Sequence, residues 1–222
     1  MRQKASTCRV LERNHMNDII NQRIIAPIQL RYDNIPLAVF LVGTNGSGKS
    51  SLRNYLNLSD IQTNIDPDVL NRVYRAKYPD TYQVEAGKQA LKMYDDALQN
   101  GLNICLESTL AGRGTMQRII AAKSAGYFTL AYYIGLNSVE LNLERIALRV
   151  ARGGHDIPEN TVRRRFNESA NNLVLIKDYL DEIYLLDNSE THFELQSSII
   201  ANNKTKYLNF EKQWARELIT RL

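Results

Sequence analysis

GTNGSGKS, at residues 43–50, follows the apolar run AVFLV at 38–42 and precedes SLRNYL, which can form a helix. The pattern is a complete G-x-x-x-x-G-K-[ST] phosphate loop between a strand and a helix. Its glycines allow successive backbone N–H groups to point at one phosphate group, and the helix directs the positive end of its dipole at the same anion. This arrangement predicts that the chain binds a nucleoside triphosphate, whereas a Gly-rich turn without a ligand would need none of these flanking elements.

The side chains of the loop predict how the triphosphate is held. Lys49 is expected to reach the β and γ oxygens of ATP and to act as a catalytic cation, and Ser50 is expected to offer its hydroxyl to Mg²⁺. Asn188 follows a late strand and is expected to lie near the adenine. The predicted nucleotide-binding residues are Gly43, Thr44, Asn45, Gly46, Ser47, Gly48, Lys49, Ser50, Ser51 and Asn188.

The composition is that of an ordinary water-soluble protein. Hydrophobic residues make up 44% and charged residues 23% of the chain. A length of 222 residues is enough to bury a full core. The net charge of +4 suits anionic ligands but is too small to indicate a nucleic-acid partner. No apolar stretch approaches ~18 residues, so no membrane span is expected. Only Cys8 and Cys105 are cysteines, and we expect reduced thiols and a cytoplasmic location.

Strand-like and helix-like segments alternate along the chain. This order predicts an α/β fold of the P-loop NTPase or kinase type, with a mainly parallel sheet flanked by helices on both faces. The predicted strands are 38–42, 61–65, 102–106, 127–135 and 181–187. Helices are predicted after residue 50, from the cap Asp66, at 84–100, at 115–125, at 138–151 and from Pro158.

The whole chain, residues 1–222, is expected to form one domain with a core at 37–189. An N-terminal extension at 1–30 is predicted to add a helix at 7–25. A lid is predicted at 145–165. The C-terminal part, 190–222, is predicted to hold a hairpin within 192–210 and a terminal helix that carries Trp214 and Leu218.

Acidic and hydroxyl side chains follow the second and third predicted strands. Ligands of parallel sheets gather at the carboxyl ends of the strands, so Asp66, Asp68, Glu107 and Thr109 are expected beside the phosphate loop. Asp68 is predicted to accept the proton of an acceptor hydroxyl. Asp66 can equally be a helix N-cap, and Glu107 can bind acceptor hydroxyls or hold a metal-bound water. Asp66, Glu107 and Thr109 are therefore assigned to the acceptor side.

A basic segment is the second strong signal. Arg145, Arg149 and Arg152 recur at four and three residues, so they share one helix face. Gly153-Gly154 then separates this helix from one that carries residues 163–165, all arginine. Two arginine-bearing helices around a flexible joint are typical of a lid that closes over phosphates, although a solvated basic face has the same spacing. Arg145 and Arg152 are predicted to be catalytic, and Arg149 is predicted to contact substrate.

Six short motifs together resemble the zeta-toxin family of P-loop kinases. They are GTNGSGKS, NIDPD, LEST, ER, RGGHDIPENTVRRR and DNS, in this order between residues 37 and 189. The resemblance implies an ATP-dependent kinase that phosphorylates a hydroxyl of UDP-N-acetylglucosamine, with a protein antitoxin as a possible partner. It implies that Asp68 is the proton acceptor, that Glu107 and Thr109 face the substrate, and that Arg145 is the first lid arginine. Arg149 or Arg152 would be the second.

Two other classes stay open from the residues alone. A switch-type ATPase needs an acid at the end of a neighbouring strand, and IYLLD at 183–187 has that form. A non-catalytic nucleotide-binding module would use Asp68 only as a helix-start carboxylate. A polynucleotide kinase is a further possibility, but basic residues interleaved with aromatic residues are few outside the lid.

Overall fold

A computed structural model describes residues 35–56, 58–200 and 211–222, together with the backbone of 204–208. The helix predicted at 7–25 and the rest of the N-terminal extension lie outside the described residues. Within the described ranges, no helix is long and apolar enough to cross a membrane.

The described strands form one seven-stranded sheet with the order β2-β3-β1-β4-β5-β6-β7. The first five strands along the chain pair in parallel, and β6 and β7 are antiparallel additions at one edge. The predicted α/β class and mainly parallel sheet are therefore confirmed. The strands are β1 Leu37–Val42, β2 Thr63–Ile65, β3 Ile104–Ser108, β4 Phe128–Gly135, β5 Glu182–Asp187, β6 Glu194–Ile200 and β7 Lys204–Leu208.

Seven α-helices connect or follow these strands in the described residues. Their starts and ends differ from the predicted ones by a few residues at most, because end residues depend on local capping. The helices are α1 Lys49–Tyr55, α2 Pro67–Lys77, α3 Tyr82–Gln99, α4 Arg113–Ser124, α5 Val139–Ala151, α6 Glu159–Ile176 and α7 Gln213–Ile219.

The central strand β1 is buried on both faces, and this explains its continuous apolar sequence. Ala38, Phe40 and Val42 belong to a core cluster that also holds buried residues of α3, α4 and α6. Leu37, Val39 and Leu41 point to the other face, where a second cluster includes Leu52 of α1. The sheet is thus covered on both faces, as the alternation of elements predicted.

The C-terminal helix α7 packs on the carboxyl end of the sheet through Trp214. The Trp214 indole donates a 2.7 Å hydrogen bond to Asp187, which is 1% exposed at the end of β5. A Cβ atom on Gly135, at the end of β4, would lie 2.6 Å from the Trp214 ring. Only a residue without a side chain fits at this position, so Gly135 allows α7 to pack closely on the end of β4.

Candidate active site

One large cleft opens at the carboxyl end of the parallel strands. Its volume is about 860 Å³, and its walls come from the phosphate loop, the β2–α2 junction, the end of β3 and the segment between α5 and α6. The predicted site residues in its lining are Asn45, Gly46, Gly48, Lys49, Ser50, Ser51, Asp66, Asp68, Glu107, Thr109, Arg145, Arg149 and Asn188. Gly43, Thr44, Ser47 and Arg152 do not line it.

The glycines of the phosphate loop adopt backbone angles that a side chain would oppose. Gly48 has φ of +103°, and a Cβ atom there would lie 2.2 Å from the side-chain nitrogen of Asn188. Asn188 in turn donates a 2.8 Å hydrogen bond to the Ser47 carbonyl. The motif glycine and the predicted adenine-side asparagine are therefore packed together, and the Asn188 side chain holds the loop backbone at Ser47.

The ammonium of Lys49 lies inside the loop. Its Nζ donates hydrogen bonds to the carbonyls of Gly43 at 2.8 Å and Thr44 at 3.1 Å. Burial lowers the pKa of Lys49 to about 8, while the neighbouring Glu107 and Asp68 carboxylates act to raise it. A phosphate group in the loop would bring further negative charge to this half-buried cation.

The carboxylate of Glu107 faces the hydroxyl of Ser50. Ser50 Oγ donates a 3.1 Å hydrogen bond to Glu107 Oε2, and Arg53 Nε lies 3.2 Å from Glu107 Oε1. Glu107 is 5% exposed, and burial raises its pKa against the opposing effect of Arg53. Two roles were left open for Glu107, binding of acceptor hydroxyls and holding a metal-bound water. The hydrogen bond from Ser50, the predicted Mg²⁺ ligand, favours the role beside a metal ion.

The two aspartates after β2 differ in their surroundings. Asp66 caps α2, because its Oδ1 accepts from the backbone N–H groups of Asp68 at 2.9 Å and Val69 at 3.3 Å. Its Oδ2 lies 3.3 Å from Arg53. The Asp68 side chain is 63% exposed and lines the cleft. The contacts of Asp66 are those expected of a helix N-cap. Asp68, in contrast, has a carboxylate oxygen available to a ligand.

The backbone after β3 is held in an unusual conformation. Leu110 is fully buried and has φ of +55°, in the left-handed region that branched side chains rarely adopt. Its N–H donates to Ser108 Oγ at 3.1 Å, and its carbonyl accepts from Asn172 of α6 at 2.8 Å. These contacts define the path of Thr109, which lines the cleft between the two anchored residues.

The segment between α5 and α6 forms one wall of the cleft. Arg149 NH1 lies 3.5 Å from Asp68 Oδ2, and Arg149 NH2 donates a 2.8 Å hydrogen bond to the His155 carbonyl. Gly153 has φ of +86°, and a Cβ atom on Gly154 would lie 2.6 Å from the Arg149 side chain. The Gly-Gly joint therefore lets the chain fold back onto Arg149.

The arginines of the predicted lid divide into those that face the cleft and those that face solvent. Arg145 donates a 2.7 Å hydrogen bond to the Asn188 carbonyl. Arg165 lines the cleft, donates to Asn45 Oδ1 at 2.9 Å, and has a pKa lowered mainly by burial. Arg152 directly follows α5, is exposed and does not line the cleft. The structure thus places Arg165, and not Arg152, beside the phosphate loop.

The acid at the end of β5 has structural partners. Asp187 accepts hydrogen bonds from Ser189 and Trp214, and Lys212 lies 3.5 Å from its Oδ1. It does not line the cleft. These contacts explain the IYLLD sequence without a metal-binding role, and they disfavour the switch-type ATPase.

Two contributors to the site went unrecognised in the sequence. Arg53 lies four residues after Lys49, on the same face of α1, and this spacing was an available signal. Asn142 of α5 donates a 2.7 Å hydrogen bond to the Asn45 carbonyl. Nothing in its surrounding sequence marks Asn142, because the contact depends on how α5 packs on the loop.

The polar groups near Ser50 fit a magnesium ion that is held mainly by phosphates. No cluster of three or more His, Cys, Asp and Glu residues suited to a metal ion occurs in the described part of the chain. Mg²⁺ in phosphoryl-transfer sites is commonly bound by one or two protein oxygens together with substrate oxygens and water. Ser50 and the adjacent Glu107 provide such oxygens.

The fold and this site define a nucleotide-binding protein of the P-loop kinase type. The model of the Zeta toxin family matches residues 27–197, so the chain belongs to the zeta toxin family. The predicted family resemblance is confirmed.

Individual proteins are also similar to the chain. An uncharacterized protein of Haemophilus influenzae is 40% identical over 129 residues, which are 58% of this chain and 91% of that protein. A structure of the PezAT chromosomal toxin–antitoxin system of Streptococcus pneumoniae matches with a TM-score of 0.57 and 15% identity, over 96% of this chain and 93% of that one. The AvrRxo1-ORF1:AvrRxo1-ORF2 complex with ATP matches with a TM-score of 0.62 and 17% identity, over 96% and 72%. The two solved structures are similar in fold.

Proposed function

We propose that the chain is an ATP-dependent phosphotransferase that transfers the γ-phosphoryl group to a hydroxyl of a nucleotide sugar such as UDP-N-acetylglucosamine. The observation that carries the proposal is the position of Asp68. Its exposed carboxylate shares one cleft with the phosphate loop and influences the pKa of Lys49. A base beside the phosphate-binding cation is the arrangement that phosphoryl transfer to a hydroxyl needs.

The residues of the cleft divide between donor and acceptor. Lys49 and the loop N–H groups hold the β and γ phosphates, and Asn188 with Arg145 bounds the adenine side. Asp68 accepts the proton of the attacking hydroxyl. Thr109 and the part of the cleft beyond it bind the acceptor. The cleft volume of about 860 Å³ lies near the upper end for small-molecule sites, consistent with two substrates.

Arginines of the lid complete the proposed site. Arg149 and Arg165 approach the phosphate region from α5 and α6, where a forked guanidinium can neutralise charge on the transferred group. Binding of both substrates replaces the Arg149 contact to Asp68 by contacts to phosphate, which frees the base. When bound at Ser50 and Glu107, Mg²⁺ would supply charge neutralisation of the phosphate oxygens.

The proposal also includes a partner, a location and a domain boundary. Since the chain belongs to the zeta toxin family and is similar in fold to a structure of the PezAT toxin–antitoxin system, we include a protein antitoxin as a partner. We also propose a cytoplasmic location and a single kinase domain over residues 1–222.

A substrate screen tests the proposal. ATP consumption by the purified protein is measured with a panel of nucleotide sugars and with oligonucleotides that bear a free 5′-hydroxyl, and mass spectrometry identifies the products. We expect a phosphorylated nucleotide sugar, and its formation should fall by ~10²-fold or more with Asp68→Asn. If a product formed only with oligonucleotides, the acceptor would be a polynucleotide end and not a nucleotide sugar. ATP binding without consumption in every reaction would support the non-catalytic module instead.

A further inference from the structure

A second cavity, of about 280 Å³, lies behind the phosphate loop and shares no lining residue with the cleft. We call it the rear cavity. Its walls come from the end of β4, from α6 and from α7, and its floor includes Ser47 of the loop and Asn142 of α5. The proposed kinase reaction uses no part of this space.

The floor of the rear cavity has two polar atoms without a hydrogen-bond partner among the described residues. They are Ser47 Oγ and Asn142 Oδ1. Ser47 is 1% exposed and Asn142 is 0% exposed. The Asn142 amide cannot simply turn over, because its nitrogen already donates to the Asn45 carbonyl at 2.7 Å. Buried polar atoms are normally satisfied, so the floor is built to meet a ligand or water.

The walls are aromatic and the rim is polar. Tyr133, Phe166 and Trp214 contribute rings, and Ala170 leaves space between them on α6. Glu217 and Arg221 stand at the exposed rim, where Arg221 donates a 2.8 Å hydrogen bond to Asn171. No charged side chain belongs to the floor. These surroundings suit a flat, uncharged molecule.

The floor also sets the polarity of the ligand. An amide oxygen only accepts hydrogen bonds, so Asn142 Oδ1 requires an N–H or O–H donor. Ser47 Oγ can accept from the same group or donate to it. A volume of about 280 Å³ lies near the lower end of the range for small-molecule sites, which is room for a molecule of one or two rings.

We propose that the rear cavity binds a small uncharged aromatic molecule with an O–H or N–H donor, and that its occupancy is coupled to nucleotide binding. The coupling follows from what the cavity touches. Its floor holds Ser47 of the phosphate loop and Asn142, which fixes the Asn45 backbone. Its wall is α6, whose Arg165 donates to the Asn45 side chain at 2.9 Å. A ligand that orders these contacts changes the affinity of the loop for phosphate, and nucleotide changes the affinity for that ligand by the same factor.

Phenol and anisole form a matched pair of probes, because anisole replaces the O–H donor by a methyl ether. Trp214 is the single tryptophan of the chain and lies in the cavity wall, so its fluorescence reports binding when excited at a wavelength that phenol does not absorb. We expect a saturable change with phenol and at least about fivefold weaker binding of anisole, as loss of one hydrogen bond implies. Equal binding of the two probes would overturn the donor requirement. No saturable change with either would mean that water alone occupies the cavity.

Variants on α6 separate this site from nonspecific binding. Ala170→Phe, or Ala170→Met if the larger residue impairs folding, fills the cavity and should abolish the phenol signal. Leu175→Phe is the control, because Leu175 is 68% exposed on the same helix. Thermal unfolding confirms that each variant is folded. Retention of the signal in a folded Ala170 variant would place the probe elsewhere and overturn the proposal.

The coupling is measured on the wild-type protein by ATP binding with and without saturating phenol. The ATP dissociation constant should change, and the phenol dissociation constant should change with ATP by the same factor. Unchanged dissociation constants would overturn the coupling. This measurement uses binding alone, so it does not depend on which acceptor, if any, is phosphorylated.

Discussion

Among single residues, Arg53 organises the acidic side of the cleft, since its guanidinium lies 3.3 Å from Asp66 and 3.2 Å from Glu107. Arg53→Met should remove the cation in contact with the buried Glu107 carboxylate and cost about 3 kcal/mol of unfolding free energy. Arg53→Lys should recover part of this loss. Denaturant unfolding measures the effect, with Arg72→Met on the exposed surface of α2 as control. Equal stability of Arg53→Met and the control would show that the pairs contribute nothing.

Lys49 is the phosphate-binding cation of the loop. Lys49→Ala should abolish ATP turnover in a folded protein, because it removes transition-state stabilisation worth several kcal/mol. Lys88→Ala, at an ion pair on the exposed face of α3, is the matched control. Steady-state ATP consumption and circular dichroism of both variants provide the readout. Turnover at the wild-type rate would exclude the loop from the mechanism.

Asp68 should act on the acceptor and not on ATP. Asp68→Asn keeps the size of the side chain but cannot take a proton, so transfer should fall by ~10²-fold or more. The ATP dissociation constant should stay near that of the wild type, although the contact to Arg149 is weakened. A collapse of ATP affinity would assign Asp68 to the metal site.

Among the elements, α5 and α6, the two helices of the predicted lid, present different arginines to the cleft. Arg165→Ala should lower kcat by ~10²-fold with a smaller change in the KM for ATP, because Arg165 lies beside the loop. Arg163→Ala is the control, since Arg163 pairs with Glu140 and Glu159 on the exposed face. Arg152→Ala tests the prediction made from the sequence. A larger loss for Arg152→Ala than for Arg165→Ala would mean that the lid rearranges on substrate binding.

Elements were easier to predict than the contacts between them. Alternating apolar segments and the cap at Asp66 are local signals, and the structure has a strand or helix at each of them. The loop motif also predicted the placement of the cleft. The roles of Arg165 and Asn142 were not predictable, since each depends on a contact between residues distant in sequence. A helical arginine pattern identifies a shared face but not which face turns to the ligand.

At the scale of the whole molecule, the C-terminal helix is joined to the sheet through the buried Asp187. Trp214→Phe keeps an aromatic ring but removes the donor to that carboxylate, so the unfolding free energy should fall by about 1–3 kcal/mol. Denaturant unfolding followed by circular dichroism measures this change. Gln213→Ala, at an exposed neighbouring position, is the control. An unchanged midpoint for Trp214→Phe would show that Lys212 and Ser189 alone satisfy Asp187.

The packing of α7 on the end of the sheet also has a consequence during synthesis of the chain. The ribosome completes the phosphate loop early, but the helix that closes the space behind it follows roughly 160 residues later, a delay of about 10 to 30 seconds at ordinary synthesis rates. Until then Gly135 has no indole against it and Asp187 lacks the Trp214 donor. A nascent chain therefore contains the complete phosphate-binding motif before α7 can pack on the end of the sheet. Its affinity for nucleotide should reach the final value only after residues 213–219 have left the ribosome.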